Sequence, residues 1–143
     1  MKKTGIIFLV AVAIGLISCE EDTMFENGTY KAEEADYSHG WISFMEATIS
    51  GDDLTAVNWD ARNADGDLKS ETTAESYPMD PHPTVWIPQL EAQYMAVDIT
   101  NYEGVDGITG ATGASTSADE LFQLILDAAK EGDTSTQILT VEE

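Results

Sequence analysis

The sequence predicts one α+β domain: a small, mainly antiparallel sheet with packed helices. Three observations predict it. Trp41 to Asp60 alternates apolar and polar residues on either side of a turn signal. Ser117 to Gly132 carries apolar residues at helical spacing. Strand-like and helix-like stretches do not alternate regularly, as they would around a parallel sheet. A chain of 143 residues suffices for one domain and not two. Its formal net charge of -21 raises the question of disorder, but 43% hydrophobic residues and three tryptophans argue for a packed core.

The first 18 residues are expected to lie outside that domain. Lys2 and Lys3 precede an apolar run, Gly5 to Ile17, which is too short to cross a bilayer comfortably and has the form of an export signal. Leu16-Ile17-Ser18-Cys19 resembles the lipobox of bacterial lipoproteins, which implies cleavage before Cys19 and lipidation of that residue. Cys19 is the one cysteine of the chain and has no intrachain disulfide partner. An ordinary signal peptide with a bystander cysteine is the alternative. Residues 19–27 then read as an acidic tether, and 28–143 as the folded domain.

Within the domain, Gly28-Thr29-Tyr30 opens a short strand. Trp41, Ser43, Met45, Ala47 and Ile49 share one face of a second. Ser50-Gly51-Asp52-Asp53 is a turn, and Leu54 to Asp60 returns as a third strand with Val57 and Trp59 on one side. Asn63 to Asp67 is a further turn. The four prolines, 78, 81, 83 and 88, exclude a long helix in the middle. Pro88 suits a first helical turn, so a helix is expected from Pro88 to Ala96, after a turn at Thr84 to Ile87. The last helix is expected to start at the capping box Ser117-Ala118-Asp119-Glu120. It continues through Leu121, Phe122, Leu124, Ile125, Ala128 and Ala129, with Lys130 in its last turn and Gly132 just beyond. Gln137 to Val141 reads as a final strand.

All 27 acidic residues follow Cys19, opposed there by Lys31, Arg62, Lys69 and Lys130. Such a surface repels nucleic acid and anionic lipid heads, so a membrane would be met through the lipid anchor only. His39 and His82 have no metal-ligand spacing, and Asn63-x-Asp65-Gly66 lacks the first and last ligands of a calcium loop. No metal and no nucleophile motif of a hydrolase is expected.

The segment Asp106-Gly107-Ile108-Thr109-Gly110-Ala111-Thr112 carries the chemistry. It is a loop of small and hydroxyl residues ahead of a helix start, whose free N–H groups and partial positive charge suit a phosphate. Glycine-rich loops before helices are common, and many bind nothing.

This segment resembles the flavinylation motif of FMN-binding domain proteins. That family includes the C subunit of sodium-pumping NADH:quinone reductase, the G subunit of the Rnf complex and extracellular FMN-binding lipoproteins. The motif is an Asp, two free positions, Ser or Thr, Gly, Ala, and the acceptor Ser or Thr. Here Asp106, Thr109, Gly110, Ala111 and Thr112 fill it. Asn27-Gly28-Thr29-Tyr30, His39-Gly40-Trp41, Asp65 to Ser70, and Ile87-Pro88-Gln89-Leu90 also resemble segments of those domains, in the same order.

The resemblance implies an extracytoplasmic electron carrier in the bacterial envelope. An FAD:protein FMN transferase would join FMN to Thr112 as a phosphoester, with Asp106 orienting the acceptor. A membrane reductase or quinol would be the electron donor, and a further carrier or external compound the acceptor. The sequence departs from the family at Gly113-Ala114-Ser115, which looks like an insertion and makes Ser115 an alternative acceptor. Trp41, Trp86, Met79 and Tyr102 are candidate walls for the ring, and Lys69 a candidate cation beside its phosphate or N1 edge. Each of these also suits ordinary core or surface roles. Two other functions remain open. One is a surface lipoprotein with an unmodified loop, acting as a binding or structural module. The other is a flavin-dependent reductase of a small external acceptor.

Overall fold

The computed structural model describes residues 22–140. The expected export signal, Cys19 and the last residues of the chain, Val141 included, lie outside the described residues.

Four strands form one sheet in the order β3-β2-β1-β4. β1 spans Gly28–Glu34, β2 Ile42–Ser50, β3 Asp53–Arg62 and β4 Gln137–Leu139. β1 to β3 pair antiparallel, and β4 adds to β1 in parallel. The fold is therefore α+β with a mainly antiparallel sheet, as the alternation of Trp41 to Asp60 requires. Ser43, Met45, Ala47 and Ile49 are buried together on one face of β2, while Trp41 is half-buried just ahead of it. The same two-residue period runs through β1, where Tyr30, Ala32 and Glu34 point inward.

Two helices cover that face. α1, Pro83–Met95, buries Trp86, Ile87, Leu90 and Tyr94 and packs on β3. α2, Thr112–Glu131, buries Leu121, Phe122, Ile125 and Ala129 and packs on β1 and β2. Trp59 of β3 meets Trp86 of α1 with ring centroids 5.3 Å apart. The opposite face of the sheet is polar. There Lys31 pairs with Glu46, and Arg62 pairs with Glu33 while lying over the Phe44 ring.

Three expectations need correction. α1 begins at Pro83, not Pro88: Pro83 takes the first helical position, and the His82 side chain caps the Thr84 N–H. Pro88 sits inside the helix, on its exposed side. α2 begins at Thr112, not after Ser117. The Ser117 hydroxyl is drawn to the Glu34 carboxylate of β1 at 2.6 Å, so it caps nothing. The tether read through Asn27 is docked from Met24 onward. The Asp52 carboxylate accepts the N–H groups of Met24 and Phe25, Asn27 Oδ1 accepts the Gly51 N–H, and the Glu26 N–H donates to the Ala129 carbonyl. Phe25 is 1% exposed.

Tyr94, Tyr102 and Phe122 form an aromatic cluster between α1, α2 and the loop that follows α1, with Tyr94 and Phe122 centroids 4.7 Å apart. Burial pushes the Tyr94 phenol well above the usual tyrosine range. Burial and the bond to Asp119 do the same for Tyr102. Above about pH 10 the unfolded tyrosines lose a proton that the folded ones keep. Stability therefore falls as pH rises, by about 1.4 kcal/mol per pH unit for a fully buried tyrosine. Urea midpoints measured from about pH 9 to pH 11 should drop steeply, and Tyr94→Phe should flatten the slope.

Candidate functional site

The candidate acceptor loop joins the 3-10 turn Ile99–Asn101 to α2 and is shaped by two glycines. Gly107 has φ +81, and a Cβ there would lie 3.0 Å from the Ser115 Cβ. Gly110 has φ +92, and a Cβ would lie 2.9 Å from the Pro81 ring. Neither position admits a side chain without strain or collision. Gln93 of α1 holds the loop from below. Its Oε1 accepts the Gly107 N–H at 2.8 Å, and its Nε2 donates to the Gly107 carbonyl at 3.0 Å.

The two candidate acceptors are now distinguishable. Thr112 is exposed and is the first residue of α2. Ser115 is one turn inside the helix and part-buried. Its Oγ donates to the Ala111 carbonyl at 2.8 Å and accepts the Ile108 N–H at 2.9 Å. Gly113-Ala114-Ser115, which reads as an insertion in a loop, is helical. Ser115 thus clips the loop to the helix. Ser115→Ala should cost about 1 kcal/mol in urea unfolding, the ordinary worth of such a bond, and leave any modification of Thr112 in place.

Thr112 stands on the rim between two hollows. One, of about 500 Å³, is lined by Asp106, Thr109, Ser115, Asp119, Glu103 and Glu120 among others. Four carboxylates and no basic residue surround it, so it disfavours an anionic ligand although it is the larger. The other, of about 280 Å³, is lined by Trp41, Tyr77, Met79, Trp86 and Lys69, with Glu34 and Ser117 also on its wall and Gly110 to Ala114 along one side. Small-molecule pockets run from roughly 300 Å³ upward, so this cleft holds part of a cofactor and leaves the rest outside.

In the second cleft the Lys69 ammonium lies 5.0 Å from the Trp41 ring centroid and 5.2 Å from that of Tyr77. Trp41 and Tyr77 meet edge to face at 5.7 Å. Burial lowers the Lys69 pKa from the usual lysine range, and the Glu34 and Asp60 carboxylates pull it back up. Both acids are buried and bonded. Glu34 accepts the Ser43 N–H at 2.7 Å, and Asp60 accepts the Ser70 and Ala61 N–H groups. Among the described residues Lys31, Arg62 and Lys130 each have a carboxylate within ion-pair distance, whereas Lys69 lines the cleft, as does His39.

The structure thus brings Trp41, Trp86, Met79, Lys69, Gly110, Ala111 and Thr112 to one cleft. Asp106 and Thr109 line the acidic hollow on the other side of Thr112. Tyr102 is a correction: it belongs to the Tyr94–Phe122 cluster and its hydroxyl donates to Asp119, so it lines no part of the cleft. Asn63 organises its turn by accepting the N–H groups of Asp65 and Asp67. Glu34, Ser43, Tyr77, Gln93 and Ser117 are site residues that the sequence reading missed. Glu34 had a visible signal, because the alternation Tyr30-Ala32-Glu34 places a carboxylate on the covered face.

The residues fit a flavin phosphoester on Thr112. Ala111 at the N-cap provides no side-chain cap, and a Cβ on Gly113 would meet nothing within 4 Å. The first turn of α2 therefore presents bare N–H groups beside the Thr112 hydroxyl, the arrangement that receives phosphate oxygens.

No family model matches the chain, and no curated protein matches it. The chain is similar to a crystal structure, that of the CPE2226 protein from Clostridium perfringens. The TM-score is 0.75 and the identity 26%, over 83% of this chain and 100% of that one.

Proposed function

We propose that this chain is an extracytoplasmic electron carrier, anchored to the membrane through a lipid on Cys19 and bearing FMN esterified to Thr112. One observation carries the reading. An exposed hydroxyl at an uncapped helix N-terminus borders an aromatic cleft that contains a half-buried lysine. The motif Asp106 to Thr112 supports it from the sequence side.

Bound FMN supplies one- and two-electron redox chemistry. The protein's own residues supply access, charge and shelter. Gly110, Ala111 and Gly113 leave the Thr112 oxygen free of bulk, so that it can enter a transferase and attack the FMN phosphorus of FAD, with AMP leaving. The first-turn N–H groups of α2 would receive the phosphoester oxygens. Trp41, Tyr77 and Met79 would screen the ring from water. Lys69 would offset the negative charge of a reduced ring.

Co-expression with an FAD:protein FMN transferase tests the reading. The expected result is a mass gain of one FMN less one water, and yellow fluorescence that survives denaturing electrophoresis. No gain, beside a control substrate that the same transferase modifies, would leave a tethered binding or structural module.

A further inference from the structure

The fold has two opposite poles. At one, the cleft gathers Glu34 at the end of β1, Ser43 at the start of β2 and Thr112 at the start of α2. At the other, the entering chain is clamped. Asp52, in the turn after β2, holds the Met24 and Phe25 N–H groups, and Glu26 bonds Ala129 near the end of α2. Two rulers give the separation. α2 from Thr112 to Ala129 is ~26 Å long at ~1.5 Å per residue. β2 from Ser43 to Ser50 is ~23 Å at ~3.3 Å per residue.

We propose that the domain hangs from the membrane by the pole opposite its cleft. The cleft then exchanges electrons with a protein on the aqueous side and not with a quinol dissolved in the bilayer. This rests on the anchor and flavin reading above. Acyl chains in the bilayer place the Cys19 backbone at the level of the headgroups. The stretch from Cys19 to Met24 reaches at most ~18 Å, at ~3.6 Å per residue. Turning the cleft onto the lipid would lift the clamped pole ~23–26 Å above it, by the same two rulers. The strap is too short for that. The domain can stand upright or tilt, but it cannot rest on its cleft pole with the clamped pole above.

The test uses full-length lipidated protein on vesicles that carry a quencher on some headgroups. The acylated Cys19 thiol is blocked, so a fluorophore can be placed through Asp53→Cys at the clamped pole or Tyr37→Cys in the exposed loop beside the cleft. Asp53 is expected to be quenched several-fold more than Tyr37. A Gly/Ser insert of about ten residues between Thr23 and Met24 should shrink that difference. Equal or stronger quenching at Tyr37 with the native strap overturns the proposal, and so does failure of the protein to bind vesicles better than Cys19→Ser. A long-chain quinol confined to the vesicle should reduce the flavin only when the insert is present, and equal reduction with the native strap also overturns it. The mass of the same sample reports FMN independently. An intact quenching gradient without FMN overturns the electron-exchange reading and leaves the orientation standing.

Discussion

Thr112→Ala is expected to fold normally and to carry no covalent flavin after export in the presence of an active transferase. Thr112 is exposed at the first position of α2 and its side chain does not cap the helix, so the stability change should stay within about 0.5 kcal/mol. The change in flavin content should be complete, because the alternative acceptor, Ser115, is engaged. Ser115 Oγ both donates to Ala111 and accepts from Ile108, one turn inside the helix. A transferase could reach that oxygen only after the loop had opened. Intact mass and in-gel fluorescence of wild type, Thr112→Ala and Ser115→Ala, purified from the same host, check the assignment. Flavin lost in Ser115→Ala alone would move the acceptor.

Glu34→Ala is expected to be the most damaging single change at the site, costing about 3 kcal/mol. The side chain is 8% exposed. The β1–β2 ladder ends with the pair Glu33–Phe44, and Glu34 then turns its carboxylate to take the Ser43 N–H that the ladder no longer pairs. Its other oxygen accepts the Ser117 hydroxyl, tying α2 to the sheet. Truncation leaves a buried donor unpaired and removes two charge-assisted bonds, each worth about 1.5–3 kcal/mol but not additive here. It also removes the negative charge that helps keep Lys69 protonated. Urea unfolding should show the loss in Glu34→Ala, with part of it recovered in Glu34→Gln, whose amide oxygen can keep one of the two bonds.

The fold was legible where local pattern and tertiary demand agree. The alternation from Trp41 to Asp60 gave the β2–β3 hairpin and its inner face, and the stripe Leu121 to Ala129 gave the core of α2. It failed where a distant partner outbid a local one. Ser117 with Glu120 has the form of a capping box, yet Glu34, far away in sequence, claims the hydroxyl and the helix starts earlier. Pro88 has the form of a helix start, yet Pro83 with His82 serves that purpose and lets Trp86 and Ile87 reach the core. In the site, it was the resemblance of Asp106 to Thr112 to the flavinylation motif that singled out Thr112. Placing Lys69 between Trp41 and Tyr77, and Tyr102 against Phe122, required the folded chain, because no periodicity links those residues.

The ion pairs have a consequence for copies of the chain at close quarters. Lys31 and Arg62 on the sheet and Lys130 on α2 are each paired with a neighbouring acid, so among the described residues no cluster of unpaired positive charge offsets the remaining carboxylates. Two copies meeting side by side present like charge to one another, and at physiological salt this repulsion is screened only beyond ~8 Å. If the chain carries the proposed flavin, self-exchange of electrons among neighbouring copies should therefore be slow and should quicken as salt is added, whereas transfer to a basic redox protein should slow under the same titration.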